Sequence, residues 1–193
     1  MTRRFEAVIF DMDGTLVEPL LDFQAIRREL AIPADCGILE GIEAMEVRQR
    51  RQARRQLLDY EIRAAGKVRL MPGARRTLDS LKERKYKTAM LTRNARPAMR
   101  IVMERFNLEF NLAWSRENGP IKPEPDGIVR ACRQLGAAES QTACVGDFRY
   151  DIVAANDAGA VSILLARGPR PDFAAEADFV ITELIELLEV LEN

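Results

Sequence analysis

Two carboxylates one residue apart, Asp11 and Asp13, follow the apolar run Ala7-Val8-Ile9-Phe10 and precede Gly14 and Thr15. Four apolar residues in succession suit a parallel strand buried on both faces, so both acids are expected at that strand's carboxyl end. Ligands of open α/β sheets bind at such ends, and a glycine there lets the backbone turn sharply away. A single aspartate after a strand is commonly a helix cap. A second acid serves no cap, and two unpaired carboxylates repel each other unless a cation neutralises them.

A second acidic cluster, Gly146-Asp147-Phe148-Arg149-Tyr150-Asp151, directly follows the apolar run Thr142-Ala143-Cys144-Val145. If the two strands are neighbours, both clusters converge on one site. Three or four oxygens together suit a hard cation such as Mg²⁺, which keeps waters and a substrate oxygen as its other ligands. Taken alone, Asp147 or Asp151 reads equally as a cap of the next helix. Thr92, at the end of Thr88-Ala89-Met90-Leu91 and before Arg93 and Asn94, reads alone as another N-cap. Lys122 reads alone as a surface lysine, but Pro120, Pro123 and Pro125 around it indicate a loop of fixed shape.

Composition removes whole classes of chemistry. The chain has no histidine, which excludes Ser-His-Asp triads, Cys-His pairs and His-ligated zinc. Its three cysteines, Cys36, Cys132 and Cys144, are odd in number and widely spaced, so they form neither a disulfide framework nor a Cys-x-x-Cys metal site. A net charge of −1 gives no field that would recommend nucleic acid or an anionic membrane as partner. The apolar run after Met1-Thr2-Arg3-Arg4 is too brief for a signal-peptide core or a membrane span, and the protein is expected to be cytoplasmic.

The elements that must hold these residues alternate. Apolar runs recur at 161–165 and 179–181, and amphipathic segments lie between the runs: after Pro72-Gly73 up to Arg84, about 95–106, 126–135 before Gly136, and 150–158 before Gly159. Strands alternating with helices predict an α/β fold, a doubly wound parallel sheet with short right-handed crossovers. Residues 18–71 break the alternation with helical patterning only. Asp22 is expected to cap a helix carrying Phe23, Ile26 and Leu30 that Pro33 ends. Ile38, Ile42 and Met45 begin another, and Leu57, Leu58 and Ile62 continue it or form a third. The expectation is a core of residues 1–17 and 72–193 with a small all-helical domain, 18–71, inserted after the first strand. Arg48, Arg50, Arg51, Arg54 and Arg55 in that insertion read as a solvated helix face or, alternatively, as one or two arginines holding a substrate anion.

An aspartate pair, a strand-end Thr, a Lys before Pro and a Gly-Asp-x-x-x-Asp, in that order, resemble the four motifs of haloacid-dehalogenase-superfamily phosphatases over nearly the whole chain. The helical insertion is similar to the cap of the phosphoglycolate-phosphatase-like branch. The resemblance implies a Rossmann-like core in which Asp11 is the nucleophile that forms an aspartyl-phosphate and Asp13 the general acid and base. It implies Mg²⁺ held by Asp11, the Asp13 carbonyl and Asp147, with Asp151 as ligand or as partner of a ligand. Thr92 would hydrogen-bond a phosphoryl oxygen, with Arg93 and Asn94 beside it as further substrate contacts. Lys122 would offset the charge shared by Asp11 and the phosphate. The substrate implied is a small phosphorylated metabolite, phosphoglycolate being the default of that branch.

Two features depart from the pattern: Phe148 and Arg149 stand where a small residue is usual, and the insertion is short for this cap type. Three other readings compete. A 2-haloacid dehalogenase lacks the second acid that Asp13 supplies. A phosphosugar mutase shares the core site but generally recruits a cap histidine. A receiver-like module would bind Mg²⁺ and a phosphoryl group without turnover, and is usually shorter with no helical insertion. The sequence leaves open whether the protein is a monomer or a homodimer.

Overall fold

The computed structural model of the chain describes residues 4–19 and 21–192. Six strands, β1 (Ala7–Phe10), β2 (Lys87–Leu91), β3 (Leu112–Trp114), β4 (Thr142–Gly146), β5 (Val161–Leu165) and β6 (Phe179–Ile181), form one sheet. Their order is β3-β2-β1-β4-β5-β6 and every pairing is parallel. Eight helices accompany them among the described residues: α1 (Phe23–Leu30), α2 (Ile38–Glu43), α3 (Val47–Ala65), α4 (Ala74–Glu83), α5 (Arg96–Phe106), α6 (Asp126–Leu135), α7 (Arg149–Asp157) and α8 (Leu187–Val190). The expected doubly wound α/β sheet is present. β3 was not expected; three residues at a sheet edge are too few to show a strand's periodicity.

β1 is buried along its whole length, and its alternate residues enter different cores. Val8 and Phe10 pack with Leu78 and Leu81 of α4 and with Met99 and Val102 of α5. Ala7 and Ile9 pack with Ile128 and Cys132 of α6 and with Ala154 of α7. Helices therefore cover both faces, and apolar continuity in β1 follows from that double burial. Phe10 lies level with Met90 of β2 on one side and Val145 of β4 on the other. The chain leaves β1 toward β2 on one flank and returns as β4 on the other, so the order reverses between β1 and β4. A crevice opens at their carboxyl ends.

Between β1 and β2 the chain is helical, as expected. The Asp22 carboxylate accepts the Ala25 N–H at 2.8 Å and caps α1. Ile26, Leu30, Ile38, Ile42, Ala53 and Leu57 form a separate apolar cluster of α1, α2 and α3. Leu57, Leu58 and Ile62 lie in a third helix rather than a continuation of the second. The end of this segment returns to the main core, where Ala65, Val68 and Met71 pack, and Leu70 bridges Val17. Arg48, Arg51, Arg54 and Arg55 are exposed, Arg54 pairs with Glu43, and Arg50 donates to the Met45 carbonyl. The arginine run is a solvated face. No helix among the described residues is long and apolar enough to cross a membrane.

Candidate active site

Asp11 stands one residue beyond β1, and its N–H donates to the Val145 carbonyl at 2.9 Å, which keeps it between β1 and β4. Gly14 then takes a φ of +81°, a conformation that costs a side-chain-bearing residue about 1–2 kcal/mol. Space demands glycine there as well, because a Cβ at position 14 would meet Oδ2 of Asp147 at 2.0 Å. A second glycine works the same way: a Cβ on Gly146 would lie 2.2 Å from Cγ of Asp151. Asp151, in the first turn of α7, can thus fold back over the end of β4, where it accepts the Phe148 N–H at 3.1 Å. The two acidic motifs make room for each other through their glycines.

Lys122 ties the motifs together. Its Nζ lies 2.6 Å from Oδ1 of Asp11 and 2.6 Å from Oδ1 of Asp151. Burial would lower the ammonium's pKa, but Asp11 and Asp151 outweigh it and hold Lys122 charged above the ordinary lysine range. Asp11, Asp147 and Asp151 each offer an oxygen within 4.8 Å of the others. Three carboxylates face one ammonium, and Asp147 has no ion-pair partner among the described residues. Burial, with the charges of Asp11 and Asp151, pushes Asp147 up to about 8. An all-oxygen donor set with excess negative charge fits a hard divalent cation such as Mg²⁺.

Asp13 has a different neighbourhood. Burial, then the charge of Asp11, raises it to about 7, and the Asn94 side-chain amide donates to its Oδ2. Asp11 rises only to about 6, because Lys122 opposes the effect of burial. The Asn94 backbone N–H donates to the Thr92 hydroxyl at 3.1 Å, which leaves the Thr92 O–H to donate elsewhere. Arg93 donates to the Lys122 carbonyl, pairs with Glu40 of α2 at 2.6 Å, and lies 4.6 Å from the Tyr150 ring centroid. Arg149 turns away from the site to pair with Glu176 at 2.9 Å.

One residue that reaches the site carries no motif in the sequence. Glu61 of α3 is only 4% exposed; it accepts the Ala95 N–H at 3.1 Å and pairs with Arg116, which also donates to the Arg93 carbonyl at 3.3 Å. A carboxylate from the helical segment thereby braces the loop that carries Arg93 and Asn94. Burial raises its pKa against the opposing effect of Arg116. The signal was present but faint: Ala53, Leu57, Glu61 and Ala65 recur every four residues, and all four are buried.

Asp11, Asp13, Thr92, Asn94, Asp147 and Asp151 all open onto one cavity of about 270 Å³. Arg93 lines it too, and Lys122 reaches the carboxylates from the loop before α6. The structure therefore brings together every residue singled out from the motifs. Side chains from α1 and α2, among them Phe23 and Ile38, complete the walls.

Residues 5–159 match the model of a family described as haloacid dehalogenase-like hydrolase. A haloacid dehalogenase-like hydrolase domain-containing protein of Arabidopsis thaliana is 31% identical over 98% of this chain and 85% of its own length. A phosphoglycolate phosphatase of Haemophilus influenzae is 26% identical over 99% of this chain and 100% of its own. Among solved structures, a hydrolase from Pseudomonas syringae superposes with a TM-score of 0.81 at 21% identity, covering 95% of this chain and 96% of that one.

Proposed function

The chain belongs to the haloacid dehalogenase-like hydrolases and is a phosphatase of that family; from this premise we propose that it hydrolyses a small-molecule phosphate monoester with Mg²⁺, through an aspartyl-phosphate on Asp11. The observation that carries the reading is the unlike pairing of two neighbouring acids. Asp11 has a lysine ammonium 2.6 Å from its carboxylate, whereas Asp13 is met by the neutral amide of Asn94. Against burial, Lys122 favours the ionised form of Asp11, while burial and the charge of Asp11 raise Asp13 further, against the smaller opposing effect of the Asn94 amide. Environments that push two acids apart in this way divide nucleophile from acid.

In the first step an oxygen of ionised Asp11 attacks phosphorus, the bond from phosphorus to the ester oxygen breaks, and Asp13 gives its proton to the departing alkoxide. With a pKa near 7, Asp13 carries that proton in much of the population at neutral pH. In the second step a water attacks the phosphorus of the aspartyl-phosphate and Asp13 takes the water's proton, which frees phosphate and restores Asp11. Lys122 offsets the charge on Asp11 and the transferring oxygens, and the Thr92 O–H donates to one of those oxygens. Asp11 and Asp147, with Asp151 alongside, would hold Mg²⁺, which would supply charge neutralisation for the phosphoryl group. Residues 18–71, anchored by Ala65, Val68 and Met71 in the main core, act as a cap on a core of 1–17 and 72–193 that limits water and selects the alcohol.

Release of inorganic phosphate from p-nitrophenyl phosphate, and from a panel of phosphorylated acids, sugars and alcohols, tests the proposal. Turnover that requires Mg²⁺ supports it. Protein that binds Mg²⁺ but turns over no ester would be a phosphoryl-binding module instead.

A further inference from the structure

We propose that the alcohol released at this site carries an aryl group, the cavity being built for a flat apolar leaving group rather than a small hydrophilic acid. The inference rests on the phosphatase reading and extends it to the class of substrate.

Away from the carboxylates the cavity wall is largely apolar, broken by Arg27, Arg93 and Asn94. Leu21, Phe23, Ile38 and Leu39 come from the helical segment, and Phe148 and Tyr150 from the turn after β4 and the start of α7. Phe23 and Phe148 are 46% and 53% exposed, two of the three exposed large hydrophobic side chains among the described residues. Both line this cavity, and Phe148 is the residue next to Asp147. Exposed aromatic surface gathered at one concave site is what an aromatic ligand covers. Phe148 packs against two other rings: it stands at 90° to Tyr150 with centroids 5.1 Å apart, and it also meets Phe173 at 6.3 Å. Tyr150 is itself held under the Arg93 guanidinium.

The cations on the wall are already engaged. Arg93 is spent on Glu40. Arg27 directs both Nε and Nη2 at the Cys36 carbonyl, at 3.3 and 3.1 Å, so the two-pronged edge that best grips a carboxylate is occupied. Size agrees with this. A cavity of about 270 Å³ exceeds the roughly 150 Å³ that encloses a benzene ring, and leaves room for a phosphoryl group beside one.

The test is the ratio of kcat/KM for 2-phenylethyl phosphate to that for ethyl phosphate, with 2-phosphoglycolate measured alongside. The first two release primary alkoxides of similar basicity, so the ratio reads how the leaving group is held and not how easily it departs. Wild-type protein is expected to favour the phenyl ester by about tenfold, and Phe23→Ala and Phe148→Ala are each expected to lower the ratio severalfold. Both rings lie at the surface, and thermal melts confirm that the variants fold. A wild-type ratio near one, a ratio that neither substitution moves, or a higher kcat/KM for 2-phosphoglycolate than for the phenyl ester overturns the proposal. If no ester is hydrolysed, the phosphatase reading fails by itself, and calorimetric binding of the same two esters then decides: tighter binding of the phenyl ester that Phe148→Ala weakens supports the aryl site, and equal binding overturns it.

Discussion

The α-carbon of Gly14 points at the carboxylate of Asp147, so that a methyl group on it would lie 2.0 Å from Oδ2. Position 14 belongs to the turn that carries Asp11 and Asp13, and Asp147 to the other acidic motif. The absence of a side chain on one is the space that the other occupies.

Gly14→Ala is therefore expected to displace Asp147 and to lower kcat/KM about a hundredfold, the usual cost of moving a catalytic group by an ångström. The Mg²⁺ concentration for half-maximal rate should rise as well. Phosphate release titrated with Mg²⁺ checks both, and an unchanged half-saturation would place Asp147 outside the metal set.

Asp11→Asn is expected to remove turnover, since an amide is a poor nucleophile at phosphorus. Asp13→Asn should slow it by about 10²–10⁴-fold, the range for a lost general acid–base group. Intact-mass measurement of that variant after mixing with substrate should reveal phosphoenzyme; a normal steady-state rate would take the proton-transfer role from Asp13.

Glu61 and Arg116 form a buried pair, with side chains 3% and 18% exposed. Glu61→Ala leaves the Ala95 N–H without its acceptor and Arg116 with only its 3.9 Å ion-pair contact to Glu117, so it is expected to cost about 3 kcal/mol of stability. In a double-mutant cycle with Arg116→Met, urea unfolding should return a coupling energy above about 0.5 kcal/mol. Additive effects would mean that the two residues act separately.

Burial first, and then the neighbouring acids, raise Asp13 to about 7 and Asp147 to about 8, while burial raises Asp11 to about 6 against the pull of Lys122. An aspartate in the unfolded chain titrates near 4, so between about pH 4 and pH 8 the folded protein holds protons that the unfolded chain has released. These groups thus contribute stability at low pH that is lost as pH rises through 6, 7 and 8. Thermal melts in chelator should show a falling Tm from pH 5.5 to 8.5 that Mg²⁺ restores most at the alkaline end. A Tm rising over that interval, or a Mg²⁺ effect independent of pH, would contradict the assignment.

What could be read from the chain alone was local. Asp11, Asp13 and Gly14 announce themselves because a doubly buried strand must be apolar and a turn at its end must hold whatever chemistry follows; Asp147, Asp151, Thr92 and Lys122 follow the same logic, reinforced by their order. The doubly wound sheet was legible for that reason too, save β3, whose three residues carry no period. What only the tertiary structure decided lies between elements distant in sequence. Arg149, between Asp147 and Asp151 in the sequence, pairs with the distant Glu176. Glu61, set in a polar stretch of α3, reaches the loop of Asn94 because α3 lies against α5 and its four-residue stripe points inward. Phe148, an oddity within an acidic motif, shares a cavity wall with Phe23 from α1. A strand's burial imprints itself on neighbouring residues. An ion pair or a cavity wall requires only that two side chains meet in space, and nothing near either one in the sequence records the other.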